Sequence, residues 1–336
     1  MTHFRFDEQV ASEPSAVREV LERTEVPELD PGRPIVFTGI GTSLHACRIA
    51  AAWVAQLTGG RVRPVALEAH RLGLSGPLRP DDQIVVVSHR GTKTYPNRVL
   101  MRAKSVGART VLVTGYGAEH PFGDRVLRTC RDETASTHTV SYVTALAVLG
   151  LLVAPLAENG GREFTSDLFR VPEQMERTLA LPIPAEVVGD LASRSHLLLT
   201  GFGLDEVTAE EAALKLKEGA YLWAEGMSEE FALHGTPAVF QKGMAAVLIV
   251  PDEDDGGRCP ALRGLLEEIG VKVVSCGIKE GSDLRFVGGS LLTRPLVSIL
   301  PLQRLVGELA RLRGTNPDTT RSDVEPWAPA IGRVKL

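Results

Sequence analysis

The chain has 336 residues, 43% hydrophobic and 24% charged, with a formal net charge of −5. That length allows about two domains, and the composition is ordinary for a globular protein that buries its core without covalent staples. The acidic balance and the lack of a Lys/Arg block argue against a nucleic-acid partner. Four scattered cysteines with no Cys-x-x-Cys pair argue against a disulfide framework or a zinc motif and fit a reducing, cytoplasmic setting.

Along the chain, MTHFRFDEQVASEP carries no apolar core of a signal peptide. Short apolar, β-branched runs at 35–38, 61–66, 84–87, 109–113 and 125–128 read as buried parallel strands. Helical stripes lie between them, one made by Ala46, Ala50, Trp53, Val54 and Leu57, another by Val99, Ala103 and Val106. Strand–helix alternation predicts an α/β fold, a parallel sheet with helices on both faces. The apolar stretch Tyr142 to Leu156 is too short to cross a bilayer and reads as a buried helix, so no membrane partner is expected. A connecting helix is expected over Phe169 to Leu181, broken by Pro182-Ile-Pro184.

The pattern then repeats. Thr38-Gly39-Ile40-Gly41 recurs as Thr200-Gly201-Phe202-Gly203, an offset of 162 residues, and the strand-like block after Gly107 recurs after Gly270. One long-period repetition predicts a duplicated domain rather than a solenoid. The expected organisation is a leader (1–30), a first domain (31–165), a connecting helix (166–190), a second domain (191–318) and a tail (319–336).

Glycine turns that pass from strand to helix present backbone N–H groups to anions at the carboxyl edge of the sheet. A dinucleotide is one reading, with Gly39, Gly41 and Glu68 in place, but Leu44 stands where the third glycine would be. The second reading is a compact phosphate. Three strand ends carry hydroxyl residues: Thr42 and Ser43; Ser88 followed by His89, Arg90 and Lys93; and Ser136 with Thr137. Each hydroxyl alone could be a plain helix cap. Three on one sheet edge favour a phosphate monoester.

These features, together with the block EEAALKLKEGAYLWAEGMSEEFALHGTP (210–237) and the segments Ile299 to Gln303 and Gly314 to Asp318, resemble double sugar isomerase (SIS) domain proteins, in the pattern of the isomerase half of glucosamine-6-phosphate synthase. The resemblance implies two tandem SIS domains, each an αβα sandwich around a parallel five-stranded sheet, and a sugar phosphate in the first domain held by Ser43, Ser88 and Ser136, with Thr137 next to the last; the glycine turn itself adds Gly41 and Thr42 to the expected cradle. It implies Glu218 as the isomerising base and His234 as the ring-opening residue, and a homodimer whose site is shared between protomers. No metal or cofactor is implied. The loop Ser88 to Lys93 departs from the family's Ser-x-Ser-Gly-x-Thr: Arg90 and Lys93 replace hydroxyls and make a more basic cradle. Near the tail, where the family's synthase has a Schiff-base lysine, Gly332 or Arg333 falls at the matching position and Lys335 is an offset substitute.

The expected activity is aldose–ketose isomerisation, or deamination or amination, of a hexose or aminohexose 6-phosphate, with no glutaminase segment in this sequence. The alternative is a phosphosugar sensor that has kept the fold without the chemistry.

Overall fold

The structure is a computed structural model that describes residues 2–131, 133–157 and 161–334. In chain order the helices are α1 (Arg5–Arg23), α2 (Thr42–Leu57), α3 (Ala69–Leu74), α4 (Thr94–Val106), α5 (Val140–Val153), α6 (Arg162–Leu179), α7 (Ala185–Ala192), α8 (Leu204–Gly219), α9 (Glu229–Leu233), α10 (Arg258–Ile269), α11 (Pro295–Arg313) and α12 (Trp327–Gly332). The strands are β1 (Ile35–Gly39), β2 (Val65–Glu68), β3 (Gln83–Val87), β4 (Arg109–Thr114), β5 (Arg125–Arg128), β6 (His196–Gly201), β7 (Trp223–Ser228), β8 (Ala245–Ile249), β9 (Lys272–Gly277) and β10 (Leu284–Arg285). The chain divides into two compact units, one holding the first five strands and most of residues 12–172, the other holding 134–137 and 173–323.

In the first unit the parallel sheet runs β2-β1-β3-β4-β5. β1 and β3 are buried along their whole length, which is why they are continuous apolar runs rather than alternating ones. The helix expected at 142–156 is α5 and a short 3-10 turn; nearly every residue of α5 is buried, so it is apolar on all sides. Trp53 of α2 is fully buried and meets Phe164 edge-on, centroids 5.3 Å apart. One strand sits later than its apolar pattern suggests: β2 spans Val65–Glu68 rather than 61–66. Residues 58–62 are tied into a turn by the Thr58 hydroxyl, which donates to the Val54 carbonyl at 2.7 Å and accepts from the Val62 N–H at 3.2 Å. Pro64 then has no N–H to offer a ladder.

The second unit repeats the design. Its sheet runs β10-β9-β8-β6-β7, the same order as the first read from the other edge, and all its pairs are parallel. Backbone details repeat too. Gly41 (φ 55°, ψ −128°) and Gly203 (φ 61°, ψ −122°) precede α2 and α8 in one shared conformation open only to glycine. The Asp124 carboxylate accepts from the Thr110 N–H at 2.8 Å and hydroxyl at 2.9 Å; that of Asp283 accepts from the Ser275 N–H at 2.7 Å and hydroxyl at 2.6 Å. Each pair staples the fifth strand's lead-in to the fourth strand, a correspondence the bare residue types did not announce.

Candidate active site

The glycine turn after β1 is tight because α2 folds back on the strand: a β-carbon on Gly39 would lie 2.6 Å from the Ser43 carbonyl carbon. That packing puts Thr42 and Ser43 in the first turn of α2, where helix N–H groups favour an anion. Both line a cavity of about 30 Å³ with His89, Thr129, His138, Ser141 and Tyr142. This volume suits a water-sized group.

The β3 loop supplies the charge. Ser88 is buried, and its hydroxyl has no hydrogen-bond partner. The Arg90 guanidinium reaches His138 Nε2 at 3.3 Å, and the His89 and His138 rings meet edge to face at 5.3 Å. Partial burial, and then the charge of Arg90, push the Lys93 ammonium below the usual lysine range. Among the described residues neither Arg90 nor Lys93 forms an ion pair with a carboxylate. Two neighbouring cations left without a counterion are the electrostatic complement of a dianion.

His138 is not among the residues the sequence singles out; its signal is its place one residue past Thr137. Glu133 was also missed. Its carboxylate is buried and accepts from the N–H groups of Thr139, Val140 (2.9 Å) and Ser141 (3.0 Å), capping α5. The donor atoms of His89, Glu133 and His138 lie within 4.8 Å of one another. Both Glu133 oxygens are committed to helix N–H groups, so the cluster reads as a helix cap beside two imidazoles rather than as a metal centre.

Ser136 and Thr137 group with the second unit. Their N–H groups donate to the carbonyls of Asp318 (3.0 Å) and Pro317 (3.1 Å). The Thr137 hydroxyl is buried with no hydrogen-bond partner, and it lies 3.6 Å from where a β-carbon on Gly219 would be. The 134–137 loop therefore meets the end of α8 that carries Glu218. Glu218 Oε2 accepts from Lys215 Nζ at 2.6 Å, and Glu211 Oε1 lies 3.5 Å from the same ammonium. Lys215 and Glu211 are each 1% exposed, and Glu218 is about one-third exposed. Lys215 escaped notice because a lysine between two leucines reads as a solvent residue. Its signal was an i,i+3 and i,i+4 match to two glutamates.

His234 caps the end of α9 with its imidazole 76% exposed, 2.9 Å from Glu230 Oε1. Lys335 lies outside the described residues.

The second unit's counterpart of this cradle is closed by its own side chains. Asp205 stands where Ser43 stands, four residues past the strand-end glycine, and is buried. The Arg294 guanidinium binds Asp205 and Asp252 and donates to the Val250 carbonyl at 2.6 Å, while the Ser298 hydroxyl donates to Asp205 at 2.8 Å. Burial lifts the Asp205 carboxyl above its usual range despite Arg294. One copy of the glycine turn is thus sealed by an internal ion pair, and the other has Ser43 in place of the acid, in the unit that carries Arg90 and Lys93 without carboxylate partners among the described residues. The strand order of the first sheet also differs from the 3-2-1-4-5-6 order of a dinucleotide-binding sheet.

Comparison with known proteins agrees. The SIS domain family model matches residues 29–154. The glutamine–fructose-6-phosphate aminotransferase (isomerizing) of Methanothermobacter thermautotrophicus is 30% identical over 345 aligned residues, covering 95% of this chain and 56% of that protein. The chain thus spans about half the length of the curated relatives it matches. The C-terminal domain of glucosamine-fructose-6-phosphate aminotransferase from Francisella tularensis superposes with a TM-score of 0.83 at 19% identity, over 94% of this chain and 98% of that one. Glucosamine-6-phosphate deaminase from Thermotoga maritima gives 0.72 at 17% identity, over 94% and 97%. With its first domain matched by the family model and its second repeating the same topology, the chain is built of two tandem SIS-like αβα domains and shares their fold with the C-terminal domain of glucosamine-fructose-6-phosphate aminotransferase.

Proposed function

We propose that this chain is a sugar-phosphate isomerase or aminosugar-phosphate deaminase/synthase, acting on a hexose or aminohexose 6-phosphate held in the first SIS-like domain. The observation that carries the reading is the contrast between the two glycine turns. Asp205 and Arg294 neutralise one internally, whereas Ser43 faces a cavity in the unit that holds Arg90 and Lys93 free of carboxylate partners. The names of the matched relatives, an isomerizing aminotransferase and a deaminase, support a substrate of this class.

Aldose–ketose interconversion needs a group that opens the ring and a base that carries a proton between C1 and C2. Glu218 is our choice for the base. Lys215 fixes one of its oxygens and leaves Oε1 with no hydrogen bond among the described residues. His234 is our choice for ring opening. So exposed an imidazole, in a segment that also exposes Phe231 and Val239, supports a site completed by a second copy of the chain. Four buried, free cysteines support a cytoplasmic setting.

The test is proton exchange at C1 and C2 of fructose 6-phosphate and glucosamine 6-phosphate in heavy water. Exchange that is lost in Glu218→Gln while binding persists is the expected result. Binding with no exchange in the unaltered protein would replace this proposal with the sensor reading, which the departures of the Ser88 loop from the family pattern favour.

A further inference from the structure

We propose that Glu229, Asp255 and Cys259 form a binding site for a zinc-like divalent metal ion in the second SIS-like domain. The three come from separate elements: the first residue of α9, the loop after β8 and the first turn of α10. Their spacing therefore spells no motif. One ligand atom from each lies within 4.8 Å of the others. Tetrahedral zinc holds oxygen and sulfur at about 2.0–2.3 Å, which puts ligand pairs roughly 3.3–3.8 Å apart, so a contraction of about 1 Å closes the site.

The independent observation is Glu229 itself. It is 1% exposed, and neither carboxylate oxygen has a hydrogen-bond partner outside the cluster it forms with Asp255 and Cys259. A carboxylate taken out of water without donors carries a heavy desolvation penalty unless a cation or proton meets it. Among the described residues the neighbouring arginines are paired elsewhere, Arg258 with Glu230 and Arg263 with Glu267. What Glu229 does face is a second carboxylate and a thiol.

The surroundings suit coordination. Asp255 accepts one N–H on each oxygen, from Gly257 at 2.9 Å and Cys259 at 2.6 Å, so its carboxylate is oriented and keeps lone pairs for a metal. It is only partly buried, which gives an ion a path from solvent. A thiolate in the set selects a borderline ion such as Zn²⁺ over Mg²⁺ or Ca²⁺. Coordination replaces the Cys259 S–H bond by a metal–sulfur bond and releases that proton to solvent, and three protein donors leave a position for water.

Cobalt(II) is the probe, added to the untagged, metal-stripped full chain. The expected result is a near-ultraviolet sulfur-to-cobalt band with visible bands of tetrahedral cobalt, bleached by Zn²⁺. It should vanish in Cys259→Ser and persist in Cys130→Ser. In Glu229→Gln the band should remain attainable, with at least about tenfold weaker affinity; this variant decides the matter if Cys259→Ser fails to fold. No thiolate band at stoichiometric cobalt, a band that survives Cys259→Ser, or unchanged affinity in Glu229→Gln would overturn the proposal, the first outcome assigning Glu229 a shared proton with Asp255 instead.

Discussion

Replacing Lys215 by methionine tests the buried charge cluster of α8. Lys215 sits between Glu211, equally buried, and the more open Glu218. Methionine fills a similar volume, so little of the effect should come from a cavity. What is lost is the counter-charge of a carboxylate that has almost no contact with water. Removing one member of a buried ion pair costs about 3–5 kcal/mol, whereas exchanging the whole pair for apolar residues is close to neutral or stabilising. Lys215→Met should therefore lower the melting temperature by roughly 6–20 °C, at about 2–4 °C per kcal/mol for a unit of this size. Adding Glu211→Leu should return most of that loss. Urea titrations of the single and double variants read the two steps. The activity should separate from the stability: the double variant is refolded but leaves Glu218 unanchored, so kcat stays low while KM moves little. A single variant destabilised by less than about 1 kcal/mol, or a double variant no more stable than the single, would refute the reasoning.

Other outcomes follow from the same geometry. Gly41→Ala and Gly203→Ala each force a side chain into a backbone conformation reserved for glycine and should each lose about 1–3 kcal/mol; calorimetry should show both losses, and binding assays should show weaker sugar-phosphate affinity for Gly41→Ala alone. Because Lys93 is held below the ordinary lysine range, its charge disappears earlier as pH rises. Phosphate affinity should thus fall on the alkaline side at a lower pH than the titration of a free lysine would set, and Lys93→Arg should flatten that limb; an alkaline limb that persists in Lys93→Arg would contradict the assignment. Glu218→Gln and His234→Gln should each lose about 10²–10⁴ in turnover. If protomers share the site, mixing the two inactive variants restores measurable activity; inactivity of the mixture under exchange conditions would remove the shared site.

The architecture was legible because its signals are local. Continuous apolar runs mark strands buried on both faces, and two glycines two residues apart mark each strand-to-helix turn; both survive duplication. The apolar run predicts the start of β2 four residues early and its end two early, because Val62, apolar and adjacent, belongs to the Thr58 turn instead. β10, only Leu284–Arg285, is too short to carry a pattern. At the site, hydroxyls and cations beside glycine turns could be read from the chain, since their chemistry follows from strand-end position. Lys215 could not: whether a lysine in a helix faces water or two glutamates is settled by what packs over it. Nor could the pairing of Asp205 with Arg294, whose partners are 89 residues apart and meet only in the folded unit.

That pairing sets the two halves on different footings. A glycine turn that supplies its own counterion needs none from a ligand. The other half borrows its counterion from whatever it binds, and its resistance to unfolding should climb with ligand as RT ln(1 + [L]/Kd). On the proposed function, protection of the first half against proteolysis should rise with sugar-phosphate concentration.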